Sequence, residues 1–368
     1  MLVYKEISDI KFIAAKDELA YQEVIDDFKN AKKVFVLTYN VSKSKNSLLS
    51  AFKECGEDTK VTIISNIPSR WNEYFNSYYA EKARENISIY KNKLNPKDIA
   101  DKADVYFCFV NHSKIVMTDN IVYIGSSNFS DESSNNIENG FISRDKEFID
   151  FLEEELFPWV IEYSSEYEMD NNLLFLEAAI QKSISMIYGI YEEYYMCFYS
   201  LADHRGTERW YYNTTEDLIS VDKFEETISI LYKYLELLEK VNSIFNKAMV
   251  SNDIDNIDDI IEDSNKIVRR IEDLCNIELH ELASFNRQSY IDEYLNEYYA
   301  EAYDENLDYY VDAAIDKANE AFYDISIESH KMVDELLGEF DKMKKISNDV
   351  LERFKSIPKA LLKIDNTK

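Results

Sequence analysis

The chain has 368 residues, of which 46% are apolar, so it is long enough for two domains with a substantial core. Six glycines and four prolines are too few for a fold of short strands and tight turns, and long helices are expected instead. The net charge of −30 is unevenly spread: residues 1–145 hold 19 Lys and Arg against 21 Asp and Glu, whereas residues 146–368 hold 22 against 50. Such an excess of acid repels nucleic acid and anionic lipid, which confines phosphate chemistry to the first part of the chain.

Cys55, Cys108, Cys197 and Cys275 lie far apart with no C-x-x-C pair. Neither a zinc site nor a disulfide framework is indicated, no cofactor or metal is expected, and a reducing cytoplasm is the simpler setting. The first twenty residues carry charges throughout and lack the apolar stretch of a secretory signal. The most apolar later segment, Ile184 to Phe198, is broken by Glu192 and Glu193, so no membrane span or stable membrane association is expected.

In chain order, ELAYQEVIDDFKNA has helical spacing and KKVFVLTYN reads as a buried strand. SLLSAFKECG is a helix closed by Gly56, KVTIISNIP a second strand, WNEYFNSYYAEKARE a helix, and ISIYKN a further strand. ADVYFCFVNHSKIVMTD and IVYIGSS form a hairpin turning at Asp119-Asn120. Strands alternating with helices imply an α/β sheet covered on both faces over residues 1–145. Residues 146–368 read as an acidic, all-α bundle. Phe224, Leu231, Leu238 and Phe245 recur every seven residues with Ile228 and Leu235 between them, and Asn242 falls in that seam. Asp203 to Thr215 is read as a loop.

The chemistry concentrates in VNHSKIVMTDNIVYIGSSNFS, residues 110–130. Strand alternation puts His112 and Lys114 on one face, and the return strand delivers Gly125, Ser126 and Asn128 beside them. That set suits a tetrahedral phosphoryl group. Lys114 supplies charge, Ser126 and Asn128 orient oxygens, and His112 attacks phosphorus or gives a proton. Lys43–Ser47 and Arg70 are further candidate phosphate contacts, and Trp71, Tyr74, Tyr78 and Tyr79 candidate stacking or packing residues.

The pattern His112-x-Lys114, four residues, Asp119, then Gly125-Ser126-x-Asn128 resembles the HKD motif of the phospholipase D superfamily, with five residues between Asp119 and Gly125 where the usual pattern has six. The resemblance covers roughly residues 20–145. It does not reach the helical bundle, and it implies a phospholipase D-like α/β domain and a metal-independent phosphodiesterase working through a phosphohistidine. It further implies that Glu138 orients His112, that Asp119 and Gly125 are structural, and that two chains pair so that each contributes one His112. His204, His280 and His330 lack the pattern. A homodimeric nuclease is expected, with nucleic acid as substrate, a regulatory protein partner on the helical domain, and antiviral defence as the setting. A phospholipid-headgroup enzyme and a catalytically idle helical interaction protein are the alternatives.

Overall fold

The computed structural model describes residues 2–7, 10–42, 47–69, 72–75, 77–100, 102–204, 207–214, 219–249, 257–298 and 307–356. The chain divides into two compact units, the first ending at Lys182 and the second spanning Ser183–Ile357.

A nine-stranded mixed sheet forms the first unit. Its strands are β1 (Leu2–Ile7), β2 (Ile10–Ala15), β3 (Lys33–Thr38), β4 (Lys60–Ser65), β5 (Ala103–Phe107), β6 (Ile115–Thr118), β7 (Val122–Gly125), β8 (Glu138–Ser143) and β9 (Ser165–Glu166), in the order β1-β2-β8-β7-β6-β3-β4-β5-β9. β3, β4 and β5 are parallel to one another and every other pair is antiparallel. Five consecutive residues are buried in each of β3 and β4, as in a strand covered on both faces.

Alternation along the strands divides the core. Phe35, Leu37, Ile64, Ile115, Met117 and Val122 face Ile149, Leu152, Phe157 and Val160 from the segment 146–162. On the opposite face, Tyr123 meets Tyr21, and Tyr21, Phe129, Phe52 and Phe28 make a chain of ring contacts at 5.4–5.9 Å between centroids. Each such buried side chain contributes about 1.5–3 kcal/mol. The segment 146–162 starts at Asp145, whose carboxylate accepts from Phe148 N at 2.7 Å, and its wide turn Leu152–Leu156 leads into Pro158, which cannot donate to a regular helical ladder. Since this segment closes one face of the sheet and β9 extends it, the first unit runs well past the boundary expected at residue 145.

Several elements differ from the sequence reading. ISIYKN is part of one helix, Ser77–Lys93, and not a strand. Its alternation is short, no Gly or Pro separates it from the preceding helix, and Ala83, Ile87, Tyr90 and Leu94 bury one helical stripe. The strands β1, β2 and β8 add an antiparallel wing that the α/β alternation did not announce.

The second unit is mostly helical and not wholly so. Asp203 to Thr215 was read as a loop, yet Tyr199–His204 pairs with Thr207–Tyr212 as an antiparallel ribbon. Val221–Met249 is one helix with Phe224, Ile228, Leu231, Leu235, Leu238 and Phe245 buried, and Asn242 in that seam donates to Asp258 at 2.6 Å. Asp258–Asp273 packs against it and against the long helix Leu307–Ser356. The helix Asn171–Phe198, within which the two units divide, is long and apolar enough to cross a bilayer. Most of its apolar window is buried in the protein, and Glu192 and Glu193 lie exposed, as in a core helix.

Where β7 meets β8, Gly125 faces Gly140, and a Cβ on Gly140 would lie 2.5 Å from the Ile124 carbonyl and 2.6 Å from the Tyr123 ring. Gly140→Ala should therefore destabilise the first unit by about 1–3 kcal/mol in urea titration. Leu238→Ala should cost the helical unit about 2–5 kcal/mol by the same measurement.

Candidate functional site

β3 and β4 end side by side at Thr38 and Ser65, and the residues that follow form the floor of the site. Ligands in open α/β sheets gather at the carboxyl ends of parallel strands, where loops replace the ladder and leave backbone groups to be satisfied by side chains. Thr38 is the shared point. Its carbonyl accepts from Asn66 N at 3.0 Å and from Asn111 Nδ2 at 2.9 Å, and its hydroxyl accepts from Phe129 N at 2.9 Å.

His112 and Lys114 lie on the loop Cys108–Lys114 between β5 and β6, since β6 begins only at Ile115. Strand alternation is thus not what brings them together. Asn111 is buried and its side chain accepts from Ser113 N, so the loop bends at His112 and turns that side chain outward. Lys114 Nζ lies 3.4 Å from His112 Nδ1 and also donates to the His112 carbonyl. The Tyr39 ring sits 4.8 Å from the imidazole and 5.4 Å from the ammonium, lining the same space. Partial burial lowers the Lys114 pKa, and the negative charge of Glu138 opposes that shift.

The return strand arrives as expected. Ile124 pairs with Ile115, and Gly125 N donates to the Lys114 carbonyl at 3.3 Å. Gly125 admits no side chain: a Cβ would stand 2.3 Å from both the Asn139 carbonyl and the Tyr123 hydroxyl. Ser126 donates its hydroxyl to the Glu138 carboxylate and accepts from Asn139 N at 3.0 Å. Glu138, expected to hold the His112 ring, is engaged by Ser126, while the ring is met by Lys114. Asn128 has its carbonyl fixed by the Tyr21 hydroxyl at 2.9 Å, and its side-chain oxygen is buried with no hydrogen-bond partner among the described residues.

Asp119 lies at the far end of β6. Its carboxylate accepts from Lys32 N at 2.9 Å and Lys33 N at 3.2 Å, tying the hairpin turn to the start of β3. Lys43 to Asn46, Arg70 and Trp71 lie outside the described residues, as does the side chain of Tyr78. Tyr74 is buried, with its ring 5.1 Å from Phe175, and Tyr79 is exposed. Residue spacing around the motif did not single out Thr38, Tyr39, Asn66 or Asn111. The signal available was positional, because each of the first three ends or directly follows a parallel strand.

A mixed sheet with polar loops gathered at the carboxyl ends of its parallel strands is an α/β arrangement. Residues 24–157 match the family described as cardiolipin synthase, PLD-like domain, and the chain carries a phospholipase D-like domain over this stretch. Among solved structures, the phospholipase D family member Nuc from Salmonella typhimurium is similar at 15% identity, covering 43% of this chain and 97% of its own, with a TM-score of 0.30. NucT from Helicobacter pylori is similar at 19% identity, with 43% and 99% covered and a TM-score of 0.29. TrmBL2, an archaeal chromatin protein, reaches 10% identity, 44% and 54% covered, and a TM-score of 0.27. No curated protein matches the chain.

Removing the Asp119 carboxylate leaves two backbone N–H groups without their charged acceptor. Asp119→Ala should lower the unfolding free energy by about 1.5–3 kcal/mol in denaturant titration, with the loop at His112 unaffected in limited proteolysis.

Proposed function

We propose that the protein is a phosphodiesterase, most specifically a nuclease, in which His112 attacks phosphorus. The observation that carries this reading is the solvent-facing imidazole with the Lys114 ammonium 3.4 Å from its Nδ1, backed by the loop that holds Asn128. In this reading the ammonium holds a non-bridging phosphate oxygen and the Asn128 side chain orients another. A bond forms between the imidazole and phosphorus as the bond to the leaving oxygen breaks, and that oxygen takes a proton from His112 of a second copy. Water then attacks the phosphohistidine, gives its proton to that second imidazole, and frees His112. Each chain offers one such histidine, so the working unit is a homodimer. In this reading Glu138 serves the site through Lys114, its negative charge opposing the lowering of the ammonium pKa by partial burial.

A second reading is favoured by one observation: the matching family's description names cardiolipin synthase, so a phospholipid headgroup is the competing phosphodiester. Supercoiled plasmid, single-stranded DNA, RNA and phosphatidylcholine or phosphatidylglycerol vesicles, each incubated in EDTA, separate the two. The nuclease reading expects nucleic acid to be cleaved and lipid left intact. His112→Ala should reduce that cleavage by about 10³-fold or more without altering the mass of the assembly in sedimentation. Cleavage that persists in His112→Ala, or that EDTA abolishes and magnesium restores, would refute the histidine mechanism.

A further inference from the structure

We infer that Asn111, fastened by Asn66, is a positioning residue that sets the direction of the His112 side chain. The inference rests on the phosphodiesterase reading for its consequence in catalysis, and on hydrogen-bond geometry for its content. His112 belongs to a loop with no ladder of its own, so its backbone must be held by something else.

Asn111 does this from both sides of the histidine. Its Oδ1 accepts from Ser113 N at 2.9 Å and its Nδ2 donates to the Ser113 carbonyl at 3.2 Å, which closes a turn with His112 at the apex. The second Nδ2 hydrogen goes to the Thr38 carbonyl at 2.9 Å, which references that turn to the end of β3. Asn66 holds the preceding backbone by donating to the Asn111 carbonyl at 2.9 Å and the Phe109 carbonyl at 3.2 Å. All four amide hydrogens of the two side chains are thus used on this loop and on the strand end beneath it.

Both asparagines are buried, at 8% and 2% exposure, so water is not on hand to replace a lost bond. The other half of the site is indexed to the same residue, because Phe129 N donates to the Thr38 hydroxyl and fixes the backbone next to Asn128. The separation of His112 from Asn128 is therefore set through Thr38. A reacting group displaced by about 1 Å loses on the order of 10²-fold in rate. Truncating Asn111 should act on the chemical step far more than on substrate capture.

The test uses the full-length chain. Asn111→Ala should lower kcat on the order of 10²-fold, with KM changed less than about threefold. Asn111→Ser, which keeps an acceptor for Ser113 N, should recover part of that loss, and it carries the test if the alanine variant does not fold. A second readout is independent of turnover. The chain has four histidines, so ring carbon–proton spectra of the protein labelled at histidine are simple, and the His112 signal is the one missing in His112→Ala. In Asn111→Ala the His112 signal should shift or broaden while the other three stay. A folded Asn111→Ala with kcat within twofold of wild type, or with an unmoved His112 signal, would overturn the inference. Wild-type protein inactive on every phosphodiester in the panel would overturn the reading of function instead, and the spectra alone would then decide the role of Asn111.

Discussion

The site depends on how the backbone is satisfied where two parallel strands stop. At that edge the ladder ends, and the carbonyl and hydroxyl of Thr38 take three hydrogen bonds: from Asn66 N, Asn111 Nδ2 and Phe129 N. Buried polar groups without partners cost about 1–3 kcal/mol each, so these bonds are obligatory. The loops that make them have little freedom to lie elsewhere. The histidine loop and the asparagine loop, 16 residues apart in sequence from His112 to Asn128, are held together by this shared strand end.

The hairpin β6–β7 joins β3 through antiparallel pairing, so a parallel α/β core and an antiparallel wing share one sheet. Gly125 and Gly140 make that junction close enough for Ser126 to reach Glu138. The result is a local charge arrangement within a part of the chain that is close to neutral. Partial burial lowers the Lys114 pKa, and the negative charge of Glu138 opposes that shift.

Much of the fold was legible because it follows from periodicity and from punctuation. β3 and β4 were read at the observed places because their apolar runs are bounded by polar residues, and the helix Val221–Met249 because its seven-residue seam is apolar at every position but Asn242. ISIYKN misled because four residues of alternation also fit a helix whose buried stripe passes through Ile87 and Tyr90. The ribbon at Tyr199–Tyr212 escaped because the polar run Asp203–Arg209 reads as a loop and Trp210, Tyr211 and Tyr212 follow one another without alternation. The first unit extends to Lys182 because its second helical layer is drawn from sequence that looks, by charge, like the acidic part.

His112, Lys114, Gly125, Ser126 and Asn128 could be named from the chain alone, since their types and spacing are a one-dimensional pattern, and so could the hairpin that returns Gly125 to Lys114. The partners of each group could not. Whether Glu138 meets His112 or Ser126, and that Asn66, Asn111 and Thr38 carry the loop, depends on contacts between residues 12 to 91 positions apart. Local preference decides which stretch becomes strand, helix or turn, but a hydrogen bond between distant loops exists only once the sheet has brought its strand ends side by side.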